Sequence, residues 1–284
     1  MHGRLKSCDP MSMLDANNPT HTFSRLADDI SLWFPALKPR PEASLRLICF
    51  PYAGAGTAVF RAWPSALNDT IELRVAQLPG RGARLREDRF ERMPPLIETL
   101  AEILRPLLDR PFAFFGHSLG ALVAFETARI LRGCSLAPVH LFVSGKIAPH
   151  LPDPGPRIHE LPDGTFLREL QKLNGMPQAV LDSNELLEIM LPVVRSDFNL
   201  LETYKYEADA PLGCPITAFG GLQDPRTTEN GLESWRTETT GSFDLVMLPG
   251  DHFFLDTARP LLLQSITRSL HGTNSEFAGS KDSS

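Results

Sequence analysis

The sequence predicts an α/β fold in which a mostly parallel central sheet is flanked by helices. Three observations predict it: six short apolar runs rich in β-branched and aromatic residues, helix-period patterns between them, and hydrophobicity that is continuous along the runs. The runs are LRLICF (45–50), ELRVAQL (72–78), FAFF (112–115), VHLFVS (139–144), PITAFG (215–220) and DLVMLP (244–249). A strand with one wet face alternates apolar and polar residues, so continuous runs belong to a sheet covered on both sides, which is the parallel arrangement. Between runs two and three, Leu96, Ile97, Leu100, Ile103, Leu104, Leu107 and Leu108 fall on one helical stripe. A further helix follows run three, with Leu122, Phe125 and Ile130 among its apolar positions.

One region breaks the alternation. Residues 159–207 hold no convincing strand but two helical patterns, one through Phe166, Leu167, Leu170 and Leu173 to Gly175, the other from Glu185 to Tyr204. A helical lid insertion and plain packing on the outside of the sheet both fit the pattern. Outside the domain assigned to 29–271, residues 1–28 and 272–284 are polar and unpatterned, and both are expected to be tails without fixed structure.

Composition excludes several classes. The 284 residues are 42% hydrophobic and 22% charged, ordinary for a globular chain. A formal net charge of −6 argues against nucleic acid, which wants a clustered positive excess. No apolar stretch of about 18 residues and no leader pattern appears, so a membrane is not expected and the cytoplasm is. Cys8, Cys49, Cys134 and Cys214 share no Cys-x-x-Cys spacing and read as reduced residues, with neither a disulfide framework nor a metal site.

The informative stretch is FFGHSLGALVAFETA (114–128), where Gly116-His117-Ser118-Leu119-Gly120 interrupts the passage from strand to helix. G-x-S-x-G alone is weak, but a strand before it and a helix after it make it the sharp turn that presents a nucleophilic serine at the top of an α/β-hydrolase sheet. A serine hydroxyl needs a base to take its proton and a third group to orient that base. His252, in the loop LPGDHFF after the last strand, is the expected base. His117 reads as a packing or hydrogen-bonding neighbour, and His2, His21, His140, His150, His159 and His271 as solvated residues. Asp224, directly after run five and followed by Pro225, is the expected acid, one αβ unit ahead of His252. Asp251 sits awkwardly close to the histidine, and Asp197, inside a helical pattern, reads as structural or lid-associated. The amide of Leu119 and one from FPYAGAG (50–56), Ala53 ahead of Tyr52, are the expected oxyanion donors. That loop lacks the G-x-x-x-x-G-K-[ST] and G-x-G-x-x-G patterns, so no nucleotide and no other cofactor is expected. Arg81, Arg84, Arg86, Arg89 and Arg92, interleaved with Glu87, Asp88 and Glu91, read as a solvated, self-paired face rather than a docking patch.

With SLWF, LICFPYAGAG, QLPGRGARLRE, FFGHSLGALVAFETARIL, LFVSGKIAP, LPVVRSDFNLLETYKY, CPITAFGGLQDP and LPGDHFFL in order, the chain resembles the type II thioesterases over residues 31–268. These are stand-alone editing enzymes of polyketide and nonribosomal peptide synthesis. The resemblance implies an α/β-hydrolase fold, Ser118 as nucleophile, Asp224 as acid, His252 as base, Ala53 and Leu119 as oxyanion amides, and 159–207 as a mobile lid over an acyl chamber. It also implies an acyl- or peptidyl-carrier protein bearing phosphopantetheine as partner; a monomer is expected. Tyr52, Gly54-Ala55 and Leu119 depart from the His, Gly-Gly and Met that family members often carry. An ester or acyl-coenzyme A hydrolase, an acyltransferase, a product-releasing thioesterase and a silent binding module are the competing readings.

Overall fold

A computed structural model describes residues 28–173 and 178–278. Six strands, β1 (Leu45–Phe50), β2 (Ile71–Val75), β3 (Phe112–His117), β4 (His140–Ser144), β5 (Ile216–Gly221) and β6 (Phe243–Leu248), form one sheet in the order β2-β1-β3-β4-β5-β6. Every pairing is parallel. All six predicted runs are strands. The second ends at Val75, short of Leu78: the Ala76 N–H still donates to the Cys49 carbonyl of β1 at 2.8 Å, but the Gln77 N–H turns to the Trp33 carbonyl at 2.7 Å.

After a short helical stretch over 28–33, the helices are α1 (Met93–Leu104), α2 (Leu119–Arg132), α3 (Asp163–Lys172), α4 (Gln178–Leu181), α5 (Asn184–Thr203), α6 (Glu229–Glu233), α7 (Phe254–Thr257) and α8 (Arg259–Ala278). The stripe predicted through Leu108 is α-helical only to Leu104; a 3₁₀ turn over Arg105–Leu107 holds Pro106, which has no N–H to continue the ladder. Strand side chains divide between two cores. Ile48, Phe50, Phe112 and Phe114 pack with α1 and α2, whereas Leu47, Cys49, Ala113 and Phe115 pack with α8 and the turn holding Phe60 and Trp63. Both faces are thus apolar, which is why the runs are continuous.

Charged residues inside β1 and β2 neutralise one another. Arg46 and Glu72 are register partners, with Arg46 Nε donating to Glu72 Oε2 at 2.8 Å, and Arg74 joins the same carboxylate. The N-terminal tail lies outside the described residues except for its last member, Asp28. The C-terminal one, expected from 272, begins as the end of α8, which runs to Ala278. Leu262, Ile266 and Leu270 are buried and anchor that helix, and propagation past an anchored turn gains a hydrogen bond for each residue added. No helix among the described residues is long and apolar enough to cross a membrane.

Two histidines expected to be solvated are not. His140, in β4, is 4% exposed, bonded through Nε2 to Thr217 Oγ1 at 2.8 Å and stacked on Phe142, and His159 bonds Glu202 of α5. Burial pulls the His140 imidazole from 6.5 down to about 4. Its pKa is lower folded than unfolded, so it contributes stability above pH 6.5 that is lost as pH falls towards 4. Urea unfolding at several pH values should therefore show a slope that His140→Gln reduces by about 1.4 kcal/mol per pH unit; an unchanged slope would refute the neutral buried imidazole.

Candidate active site

The strand-to-helix turn after β3 sits at the middle of the sheet, between β1 and β4. Ser118 carries it with φ 55° and ψ −115°, a sparsely populated backbone that costs about 1–3 kcal/mol. The Ser118 N–H donates to the Ser144 carbonyl at 2.7 Å, and its own carbonyl accepts from Ala121 at 3.0 Å. Both flanking glycines are required by space. A Cβ on Gly116 would lie 2.1 Å from the Gly120 carbonyl oxygen, and one on Gly120 would lie 2.0 Å from that of Phe50. Backbone therefore packs on backbone across β1, β3 and the start of α2.

Asp224 and His252 come from the ends of β5 and β6, and backbone bonds lace their loops together. Leu222 donates to Leu248 at 2.8 Å, Gln223 to Gly250 at 2.9 Å, and Gly250 returns a bond to Gln223 Oε1 at 2.7 Å. His252 Nδ1 then meets Asp224 Oδ2 at 2.8 Å. The Asp224 side chain is 0% exposed and also accepts from Arg226 N–H and Thr227 Oγ1, each at 2.8 Å. Burial pushes the carboxyl up, but the bonds from His252, Arg226 and Thr227 and the histidine charge outweigh it and hold the group below the usual carboxylate range. Asp251 instead accepts from the Phe253 N–H at 2.9 Å.

Ser118 and His252 face one cleft, whose walls are Tyr52, Ala53 and Phe253 from the sheet side and Leu170, Leu173, Val194, Phe198 and Leu201 from α3, its C-cap and α5. The inserted helices thus form a wall of this cleft, with Ile158, Phe166, Leu170, Val194 and Phe198 as a small core of their own. Gly175, where the first helical pattern was expected to end, lies outside the described residues. Ala53 and Leu119, the expected oxyanion donors, stand in the loop after β1 and at the first position of α2; a first-turn amide has no partner within its helix.

His117 is fully buried beneath His252, ring centres 5.1 Å apart, with Nδ1 2.9 Å from Ser144 Oγ. Burial, and then the charge of His252, pull its imidazole from 6.5 down to about 3. It stays neutral and places no competing positive charge under its neighbour. Burial, helped by the Asp256 charge, pushes the Tyr52 hydroxyl up to about 12. Among the described residues no group of His, Cys, Asp and Glu could hold a metal ion.

A family model for the thioesterase domain matches residues 45–270. The chain belongs to the thioesterase family. It is 41% identical to the RedJ thioesterase of the prodiginine biosynthetic pathway in Streptomyces coelicolor, covering 81% of this chain and 87% of that one with a TM-score of 0.76. The structure of the type II thioesterase BorB from the borrelidin biosynthetic cluster is 33% identical over 84% of this chain and 98% of its own, with a TM-score of 0.79. A protein named linear gramicidin dehydrogenase LgrE, from Brevibacillus parabrevis, is 46% identical over 244 residues, 84% of this chain and 93% of that protein. The thioesterase shares the α/β-hydrolase fold of these solved relatives.

The solvated-face reading of the arginine cluster is corrected for two members. Arg84 is 3% exposed, stacks over Trp33 at 3.5 Å and pairs with Glu87. Arg81 is 8% exposed and pairs with Asp197 of α5, placing that aspartate away from the histidine. Nothing in local spacing signals a pair 116 residues apart. Replacing Gly120 with Ala should cost about 3 kcal/mol or more, because the new methyl meets backbone that has no rotamer to give; denaturant unfolding checks this. Asp224→Asn should keep the fold and lower kcat by about 10⁴, read on any thioester the wild type turns over.

Proposed function

We propose that this thioesterase hydrolyses acyl groups from the phosphopantetheine arm of carrier proteins, removing aberrant acyl units from a polyketide or nonribosomal peptide synthase. The carrier arm is suggested by the biosynthetic pathways and cluster named for the relatives. The chemistry rests on one observation: His252 is held by a buried Asp224 while its ring borders the cleft that Ser118 faces.

In this mechanism Ser118 Oγ attacks the thioester carbonyl as His252 Nε2 takes its proton, and the Ala53 and Leu119 amides hold the resulting oxyanion. The C–S bond breaks, the thiol leaves with the proton from His252, and an acyl ester remains on Ser118. A thiol with pKa near about 8.5 leaves with little acid assistance. Water, deprotonated by the same imidazole, adds to the ester carbonyl, and collapse returns the carboxylic acid and free Ser118. Asp224 stays ionised throughout, fixes the imidazole tautomer and stabilises the imidazolium. The largely apolar cleft wall suits an acyl chain.

Ser118→Ala should form no acyl-enzyme detectable by intact-mass spectrometry and should lose turnover by at least about 10³; wild-type turnover would exclude the serine. Wild-type kcat/KM should be highest for acyl-carrier protein, lower for the same acyl group on coenzyme A, and lowest for an oxygen ester. A reversed order would point to the ester hydrolase reading instead.

A further inference from the structure

The buried pair Asp197–Arg81 stands outside the mechanism but touches its edge. Asp197 lies on α5, one turn from Val194 and next to Phe198, both walls of the cleft. Its side chain is 2% exposed, so the carboxylate is desolvated. Arg81 grips it with both ends of the guanidinium, Nη1 to Oδ2 at 2.6 Å and Nη2 to Oδ1 at 2.7 Å. The third donor is the Gly54 N–H, 2.6 Å from Oδ2, and Arg81 Nη1 also holds the Ala55 carbonyl at 3.0 Å.

These bonds bear on one particular peptide plane. The Ala53 N–H shares its plane with the Tyr52 carbonyl, which accepts from the Ala55 N–H at 3.0 Å. The next plane carries the Gly54 N–H, which Asp197 holds. Both planes flanking the Ala53 Cα are pinned, so the Ala53 amide cannot turn without breaking one of these bonds. The second pin comes from the wall helix, not from the sheet. Gly54 itself has φ +78°, and a Cβ there would lie 2.6 Å from Val194 Cγ2, so only glycine lets the loop press this closely on α5. Ser196 to the Phe90 carbonyl at 2.9 Å and Asn199 to the Glu91 carbonyl at 3.0 Å fasten the same stretch of α5 to the body.

We propose that Asp197 is a positioning residue: held by Arg81, it fixes the Gly54 peptide and thereby aims the Ala53 amide at the acyl oxygen, making the wall helix α5 part of the oxyanion site. This rests on Ala53 being an oxyanion donor. An amide aimed beforehand stabilises charge that develops only in the transition state. Its loss therefore falls on kcat and not on ground-state binding.

The test uses the full-length protein and one acyl-N-acetylcysteamine thioester. Removing one partner alone strands a buried charge, whereas replacing both by apolar residues of similar size preserves folding. The principal variant is therefore Asp197→Leu with Arg81→Met. It should retain a thermal midpoint near wild type, lose about 10- to 100-fold in kcat, and keep KM within about threefold. Affinity for a trifluoromethyl ketone analogue, which forms an oxyanion on addition of Ser118, should weaken by the same factor as kcat, and affinity for the matching methyl ketone should not change. Should the double variant fail to fold, Asp197→Asn, which keeps the shape and one acceptor but leaves the Arg81 charge uncompensated, is compared at a temperature below its own thermal midpoint; it should lose about tenfold in kcat with KM unchanged, and a wild-type kcat overturns the assignment.

A folded double variant with wild-type kcat, or one whose loss lies in KM while trifluoromethyl ketone affinity is untouched, overturns the assignment of Asp197 and leaves the oxyanion reading standing. Wild-type protein that binds the trifluoromethyl ketone no tighter than the methyl ketone overturns the oxyanion reading itself, and this inference with it.

Discussion

The contact on which the site depends is backbone against backbone: the Cα of Gly120 lies so close to the Phe50 carbonyl that a methyl group has no place between them. That approach brings the start of α2 against the end of β1, and Gly116 repeats it within the turn. Ser118 is consequently forced to positive φ and held there by the Ser144 carbonyl of β4. Three adjacent strands thus define the position of one hydroxyl. The same contact sets Pro51, at the start of the loop that follows β1, against the start of α2. The strain at Ser118 is small against the two cores that enforce it.

Two buried carboxylates frame the site and are alike in almost every respect. Asp197 and Asp224 both lie at the sheet's carboxyl edge, both accept one backbone N–H, and both have donors on each oxygen. Burying an ionised carboxylate costs several kcal/mol unless it is so satisfied. The remaining partner separates them. An imidazole can take and return protons near neutral pH, so a carboxylate that orients one is suited to proton-transfer chemistry. A guanidinium does not release its proton in proteins, so the carboxylate it grips can serve only geometry and charge. This difference, not depth or distance from the surface, sets the two aspartates apart.

The inserted helices join these halves. α5 presents Val194, Phe198 and Leu201 to the cleft while Asp197, on the same helix, reaches the loop below. Wall and loop 50–56 are therefore one packed unit along the carboxyl-terminal half of α5. Its amino-terminal half leaves Leu186 and Ile189 exposed and shares in none of these bonds.

How much of this was legible in the chain follows from the range of each interaction. Periodicity and turn chemistry are local, so the six strands, the helix after Ser118 and the glycines around it could be read directly. The pairing of Asp224 with His252 was legible because each follows a strand of a parallel sheet, and parallel strands end on one edge. Burial of charge was not legible. Arg81 and Arg84 looked like part of a wet face, and His140 and His159 looked solvated, because a polar residue inside carries the same letter as one outside. What buries it is a partner from a remote segment: Asp197 for Arg81, Thr217 for His140, Glu202 for His159. The sequence by itself determined which elements form and at which sheet edge Ser118, Asp224 and His252 gather, since both depend on neighbours along the chain. Only the tertiary structure decided which helix closes the cleft and which charges it takes inside, since desolvation is settled by groups that meet only after the chain has returned on itself.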